Sequence, residues 1–167
     1  MDLAGCAFAL PLLLLCVLVM LALTALASPG PVIYKQTRIG HGGRRFTLYK
    51  FRTMKMGADP AVHARHVQAL IASRAPMEKL DGRGDDRLIP GAWWLRATGL
   101  DELPQIINIF HGEMSFVGPR PCLPLEFEAW GTEQRGRYDA VPGLTGLWQV
   151  SGKNRTTVDE MLRLDCH

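Results

Sequence analysis

Residues 98–121 read TGLDELPQIINIFHGEMSFVGPRP, and how that stretch divides decides the fold class. Leu103, Ile106, Ile107 and Phe110 fall at i, i+3, i+4 and i+7, the spacing of one apolar helix face, and Gly112 is placed to end the helix. Met114 to Val117 then reads as a short strand, followed by Gly118-Pro119-Arg120-Pro121, a turn whose arginine is fixed in backbone direction by two prolines. A helix leading directly into a strand predicts an α+β domain. Thr98 or Gly99 takes the N-cap position, and Asp101 and Glu102 sit in the first helical turn, with Thr98 and Asp101 at capping-box spacing.

Working upstream, Val32–Ile39 and Arg45–Arg52 flank Gly40-His41-Gly42-Gly43. Tyr34, Tyr49 and Phe51 favour strands and the glycines allow positive φ, so a β-hairpin is expected. Ser28-Pro29-Gly30-Pro31 breaks the chain ahead of it. Before the break, Leu3 to Ala27 carries no charged residue, and ~20 apolar residues are enough for a helix to cross a bilayer. A cleaved signal peptide is the rival reading, because Ala25-Leu26-Ala27 resembles a cleavage site, but Asp2 stands where a basic n-region would be and the apolar run is long for such a signal. Pro11 should bend a helix passing through it. The helix could then cross the membrane or enter and return by one face.

Downstream of the hairpin, 60–74 reads as a helix with Val62, Ala69, Leu70 and Ile71 as its apolar positions, and 81–87 as a polar loop. His63 and His66 in that helix read as surface histidines, since metal sites need more ligands than this stretch offers.

With 167 residues the chain suits one core-forming domain, and its formal charge of +3 is unevenly spread. Between Val32 and Ala58 lie Lys35, Arg38, Arg44, Arg45, Lys50, Arg52 and Lys55 with no acid among them. Such a segment suits an anionic partner and would hold the downstream domain on the cytoplasmic side of a membrane. Cys6, Cys16, Cys122 and Cys166 form no CxxC pair, so neither a zinc site nor a disulfide framework is indicated and a reducing compartment is expected.

Acids in a first helical turn usually cap and nothing more. The same position nevertheless keeps carboxylates ionised, and an ionised aspartate can form an aspartyl-phosphate while a neighbouring glutamate holds Mg²⁺. Cations would be needed to bring a phosphate to two acids, and Arg96 and Arg120 could supply paired hydrogen bonds to its oxygens. From the residues alone, capping and chemistry both stand.

Five blocks, taken in order, resemble the bacterial sugar transferase family, the monotopic phosphoglycosyl transferases that start glycan assembly on polyprenyl phosphate. They are Ser28–Gln36, Tyr49–Met54, Leu100–Gln105, Met114–Pro121 and Pro142–Gly146, the last extended by Trp148–Asn154. The resemblance implies transfer of a sugar-1-phosphate from a UDP-sugar to polyprenyl (undecaprenyl) phosphate with release of UMP, the first membrane step of exopolysaccharide, capsule, O-antigen or glycoprotein glycan assembly. It implies ping-pong chemistry through a covalent aspartyl phosphosugar. Asp101 would be the nucleophile, Glu102 with Asp101 would hold Mg²⁺, and Arg96, Arg120 and, more weakly, Arg52 would contact phosphates.

The same likeness implies a kinked, re-entrant membrane helix over 1–29 and a small catalytic domain over 30–167 on the cytoplasmic face of the bacterial inner membrane, with the hairpin and several short amphipathic helices. Membrane lipids join the two substrates as partners, a homodimer is compatible, and nothing suggests nucleic acid. This chain departs from the family pattern in having Pro11 about one turn before the family's kink proline, and Gly99 where serine is common. Its end at Asp165-Cys166-His167 reads as a C-terminal truncation. The alternatives are a non-catalytic membrane-attached homologue that binds anions and, from another class, a secreted polyanion-binding protein. Arg135, Arg137, Lys153 and Arg155 read as solvated basic surface, while Asp59–Gly84 or Trp130–Tyr138 would carry sugar specificity.

Overall fold

The computed structural model describes residues 2–58, 65, 68–69, 86–129, 136–151 and 156–166. Of the helix expected over 60–74 only Arg65, Gln68 and Ala69 are described, and these are helical; His63, His66, Arg135, Lys153 and Arg155 lie outside the described residues, as does nearly all of the two stretches assigned to sugar specificity. The structure mixes helices with small sheets, as the α+β reading expects, and it divides into two compact units.

The first unit comprises residues 1–36, 47–58 and 82–112. Its longest element is α1, Asp2–Ala27, a single helix with Pro11 inside it. Cys6, Leu13, Cys16, Met20 and Thr24 are its buried residues, and their spacing of three, four or seven makes one stripe along the helix. The remaining faces stay apolar and open, with Phe8 89%, Leu18 65% and Leu26 88% exposed. By length and composition α1 could cross a membrane.

The hairpin forms as expected, with β1, Ile33–Ile39, beside β2, Arg45–Phe51. Its loop includes a turn of 3₁₀ helix, His41–Gly43, in which Gly42 and Gly43 take positive φ. Phe51 from β2, Leu95 and the stripe residues Leu13, Cys16 and Met20 form the core of this unit.

After Leu88 the structure departs from the sequence reading. A six-residue helix α2, Trp93–Thr98, ends at Gly99, whose left-handed backbone (φ 77°) turns the chain into a 3₁₀ segment, Leu100–Gln105. A short α3, Ile106–Phe110, completes the run, and Gly112 (φ 74°) closes it as expected. The single helix read from the apolar spacing is therefore two segments of different pitch. A 3₁₀ turn holds three residues instead of 3.6, so the apolar face drifts: Ile106 and Ile109 are buried, whereas Phe110 is 66% exposed. Thr98 does not cap; its hydroxyl donates back to the carbonyls of Trp94 at 2.8 Å and Leu95 at 3.2 Å.

The second unit comprises residues 37–46, 59–81 and 113–167. Strand β3, Ser115–Val117, lies parallel to β4, Gly143–Thr145, pairing Ser115 with Gly143 and Val117 with Thr145. Glycine is obligatory here, because a Cβ on Gly118 would strike the Val141 carbonyl oxygen and one on Gly143 would strike the Gly118 amide nitrogen. Helix α4, Pro124–Ala129, separates the strands in sequence. Two further helices, α5, Leu147–Val150, and α6, Val158–Asp165, join Trp148, Val158, Met161 and Leu162 in a second core. A full capping box starts α6, where the Thr157 hydroxyl accepts from the Glu160 amide at 3.2 Å and the Glu160 carboxylate accepts from the Thr157 amide at 2.9 Å.

Candidate active site

Asp101 and Glu102 open the 3₁₀ segment that follows Gly99. They do not begin an α-helix, so a helix macrodipole does little for them: the aligned peptides are few and their pitch is that of a 3₁₀ turn. The turn is held by its apolar neighbours instead. Leu100 and Leu103, on either side of the acids, pack against the core made by Leu13, Cys16, Met20, Phe51 and Leu95. The turn that carries the two acids is thereby seated, through its leucines, on a core that includes the inner stripe of α1, whose other faces are leucine-rich and exposed.

The two acids have different surroundings. Asp101 is 9% exposed. Glu102 pairs through Oε1 with Lys50 Nζ of β2 at 2.9 Å, and its Oε2 accepts from the Gln105 side-chain amide at 3.2 Å. Both oxygens of Glu102 are held by side chains, which fixes the carboxylate in one orientation. The β2 strand is itself clamped to α3 by Asn108, which donates to the Thr47 carbonyl at 2.6 Å and accepts from the Tyr49 amide at 3.2 Å.

Arg96, in the last turn of α2, donates through Nη1 to the Thr53 hydroxyl at 2.9 Å. Arg52 is 6% exposed. It donates to the Pro31 carbonyl at 2.6 Å, the Ser28 hydroxyl and carbonyl at 3.0 and 2.6 Å, and the Met54 carbonyl at 3.3 Å. That set ties the end of α1 to β2, and a phosphate contact by Arg52 would have to displace part of it. Asp101, Glu102, Arg96 and Arg52 thus belong to the first unit, and Arg120 belongs to the second.

Arg120 meets both carboxylate oxygens of Glu126, at 3.1 and 3.2 Å. Burial works against ionisation of Glu126, yet Arg120, Arg38 and the Leu123 amide together hold its carboxyl below the usual range. Arg137, expected on the surface, is instead buried in an ion pair with Asp165. Its sequence neighbourhood is polar, and an acid 28 residues further on pairs with the buried guanidinium, which no local pattern announces. Asp165 is pushed up to about 6, chiefly by burial, with Arg137 and the Arg120 amide pulling the other way. Of the basic segment between Val32 and Ala58, Arg38, Lys50 and Arg52 are engaged inside the fold, while Lys35, Arg44, Arg45 and Lys55 are exposed.

The sequence profile of the bacterial sugar transferases matches residues 1–167. The chain belongs to that family. Among relatives, it is 40% identical over 137 residues to an undecaprenyl-phosphate galactose phosphotransferase of Salmonella typhimurium, covering 81% of this chain and 29% of that protein. A galactosyl transferase, CpsE, of Streptococcus agalactiae is also 40% identical over 137 residues, covering 81% of this chain and 30% of its own. A UDP-glucose:undecaprenyl-phosphate glucose-1-phosphate transferase of Caulobacter vibrioides is 40% identical over 157 residues, covering 92% and 52%. The chain therefore spans about a third to a half of the length of these relatives.

Reading the sequence alone missed Lys50, Thr53, Glu126 and Asp165. Lys50 and Thr53 stand in one of the family-like blocks, but nothing local shows that they meet Glu102 and Arg96. Glu126 had one legible signal: three residues after Leu123, it sits where a glutamate can reach back to the amide at a helix start, and that bond forms at 2.6 Å.

Proposed function

We propose that this chain transfers a sugar-1-phosphate from a UDP-sugar to polyprenyl phosphate at a membrane surface. The observation that carries the reading is the seating of the Asp101-Glu102 turn, through Leu100 and Leu103, on the inner stripe of α1. A lipid phosphate and a water-soluble nucleotide sugar must share one carboxylate, and a carboxylate pair mounted on an apolar helix suits that need. The relatives' names add support, since two of them specify undecaprenyl phosphate as acceptor. Those names differ in the sugar, so the sugar stays open.

In the proposed reaction an Asp101 carboxylate oxygen attacks the phosphorus that bears the sugar, and the bond from that phosphorus to the UMP oxygen breaks. An aspartyl phosphosugar and UMP result. A phosphate oxygen of the polyprenyl phosphate then attacks the same phosphorus, giving the lipid diphosphosugar and restoring the carboxylate. Glu102, fixed by Lys50 and Gln105, is the orienting acid, and Arg96 and Arg120 contact phosphate oxygens.

The donor types fit Mg²⁺: Asp101 and Glu102 would offer hard carboxylate oxygens, and such an ion completes its shell with phosphate oxygens and water. Mg²⁺ held there would neutralise diphosphate charge. The helix α1 would hold the protein at the inner membrane with the acids on the cytoplasmic side.

Membranes carrying the chain, given Mg²⁺, undecaprenyl phosphate and a panel of labelled UDP-sugars, should release UMP and label the lipid with at least one donor. Asp101→Asn should reduce transfer by at least about a thousandfold while leaving the unfolding transition in place. Transfer retained in that variant would remove Asp101 as nucleophile, and no transfer with any donor would favour a non-catalytic homologue.

A further inference from the structure

Buried charged side chains grip the Pro119-Arg120-Pro121 turn at successive polar groups. The Arg120 amide donates to Asp165 Oδ2 at 3.3 Å, the Arg120 carbonyl accepts from Arg137 Nη2 at 2.8 Å, and the Pro121 carbonyl accepts from Arg38 Nη1 at 3.1 Å. Glu126 holds the Arg120 guanidinium at Nη1 and is itself anchored by the Leu123 amide. Among these five charged side chains only that of Arg120 reaches solvent appreciably: it is 22% exposed, against 7% for Arg38, 4% for Glu126, 0% for Arg137 and 1% for Asp165.

Stability does not account for such an arrangement. Each buried charge loses its hydration, and apolar side chains of similar volume commonly serve a core as well or better. What the cluster does achieve is geometric. It fixes the backbone of one residue on both sides and the direction of that residue's guanidinium, and it leaves the guanidinium as the member that a solute can approach. Guanidinium groups held this way are suited to phosphate oxygens, which they meet with paired hydrogen bonds.

We propose that Glu126, backed by Arg137 and Asp165, is a positioning residue that aims Arg120 at a phosphate of the nucleotide-sugar diphosphate. The identity of that anion rests on the proposed reaction; the positioning itself rests on the contacts within the second unit.

A double-mutant cycle on the full chain in detergent micelles with Mg²⁺ tests it, with UDP affinity by calorimetry and UMP release as separate readouts. Glu126→Gln keeps the size of the side chain and an acceptor for the Leu123 amide, and should weaken UDP binding and lower kcat/KM for UMP release by about tenfold. Arg120→Ala should cost at least as much, and Glu126→Gln should add nothing further when Arg120 is already alanine. Glu126→Asp, which keeps the charge, should recover part of the loss at an unchanged unfolding midpoint. Additive losses, or a Glu126→Gln protein that binds UDP like the parent, would overturn the positioning role. A parent chain that does not bind UDP would overturn the assignment of the anion at Arg120 to a nucleotide-sugar diphosphate. A parent that binds UDP but releases no UMP from any UDP-sugar would instead count against the proposed reaction, with the cycle still readable through affinity.

Discussion

Asp101, Glu102, Glu126 and Asp165 are all carboxylates of one small chain, and their surroundings assign them different work. Glu102 is tied down by a lysine and an amide, and Glu126 is kept ionised by two arginines despite its burial. Asp165 is the reverse case, because burial raises its carboxyl to about 6 from an ordinary 3.8 even beside Arg137. Linkage then fixes the sign of a pH effect. Between about pH 4 and about pH 6 the folded chain holds a proton on Asp165 that the unfolded chain has released, so this group's contribution to stability falls as pH rises through that window. The stability of the parent relative to Asp165→Asn should therefore decline by roughly 2 kcal/mol from pH 4 to pH 7, read from denaturant unfolding in micelles at each pH. A pH-independent difference would mean that Asp165 ionises as it does in water. None of this was legible in the sequence, where the aspartate of a polar Asp165-Cys166-His167 stretch carries no mark of being buried.

At the level of elements, legibility followed the constancy of the backbone period. The hairpin was readable because alternating aromatics flank a glycine loop, and both strands formed within one residue of their expected limits. The stretch after Leu88 was not, because α2, the 3₁₀ segment and α3 change pitch twice within eighteen residues. Spacing rules assume one pitch, so they placed Phe110 inside; of the two residues offered for the cap position, Gly99 takes it and Thr98 does not. The β3–β4 pairing was also hidden, since a parallel pair needs a crossover and local pattern does not name the partner strand. Its glycines nevertheless carried the information. Gly143→Ala puts a methyl group against the Gly118 amide nitrogen and the Thr145 carbonyl oxygen, backbone atoms that move only if the pair separates. Gly42→Ala meets nothing within 4 Å, although its φ of 63° is left-handed. Thermal unfolding in micelles should show Gly42→Ala costing about 1 kcal/mol, and Gly143→Ala costing more than about 3 kcal/mol or failing to fold. Equal losses would mean that the strands are not as close as the structure has them.

For the whole molecule the deciding asymmetry lies in α1. A 26-residue helix without charge beyond Asp2 could be the core helix of a larger globule, but a core helix is covered on every side. Here, among the described residues, the buried positions of α1 are the stripe from Cys6 through Leu13, Cys16 and Met20 to Thr24, and Leu14, Leu15 and Leu18 are 57%, 58% and 65% exposed. An exposed leucine face of that length is stable only against lipid or another apolar surface. The sequence reading foresaw the apolar helix but could not foresee which face the protein keeps, because every face is apolar. The buried stripe now separates two kinds of substitution. Leu14→Arg with Leu18→Arg leaves the inner stripe intact, while each arginine at the middle of a membrane helix costs about 3 kcal/mol. The parent chain should stay with membranes through alkaline carbonate washing, and the double variant should move mostly to the supernatant with its N-terminus intact by mass spectrometry. If the double variant remains bound, the exposed face of α1 is not what meets the membrane. A parent chain recovered without its first 27 residues would identify the helix as a cleaved signal and leave the Asp101-Glu102 turn without the support on which the proposed chemistry depends.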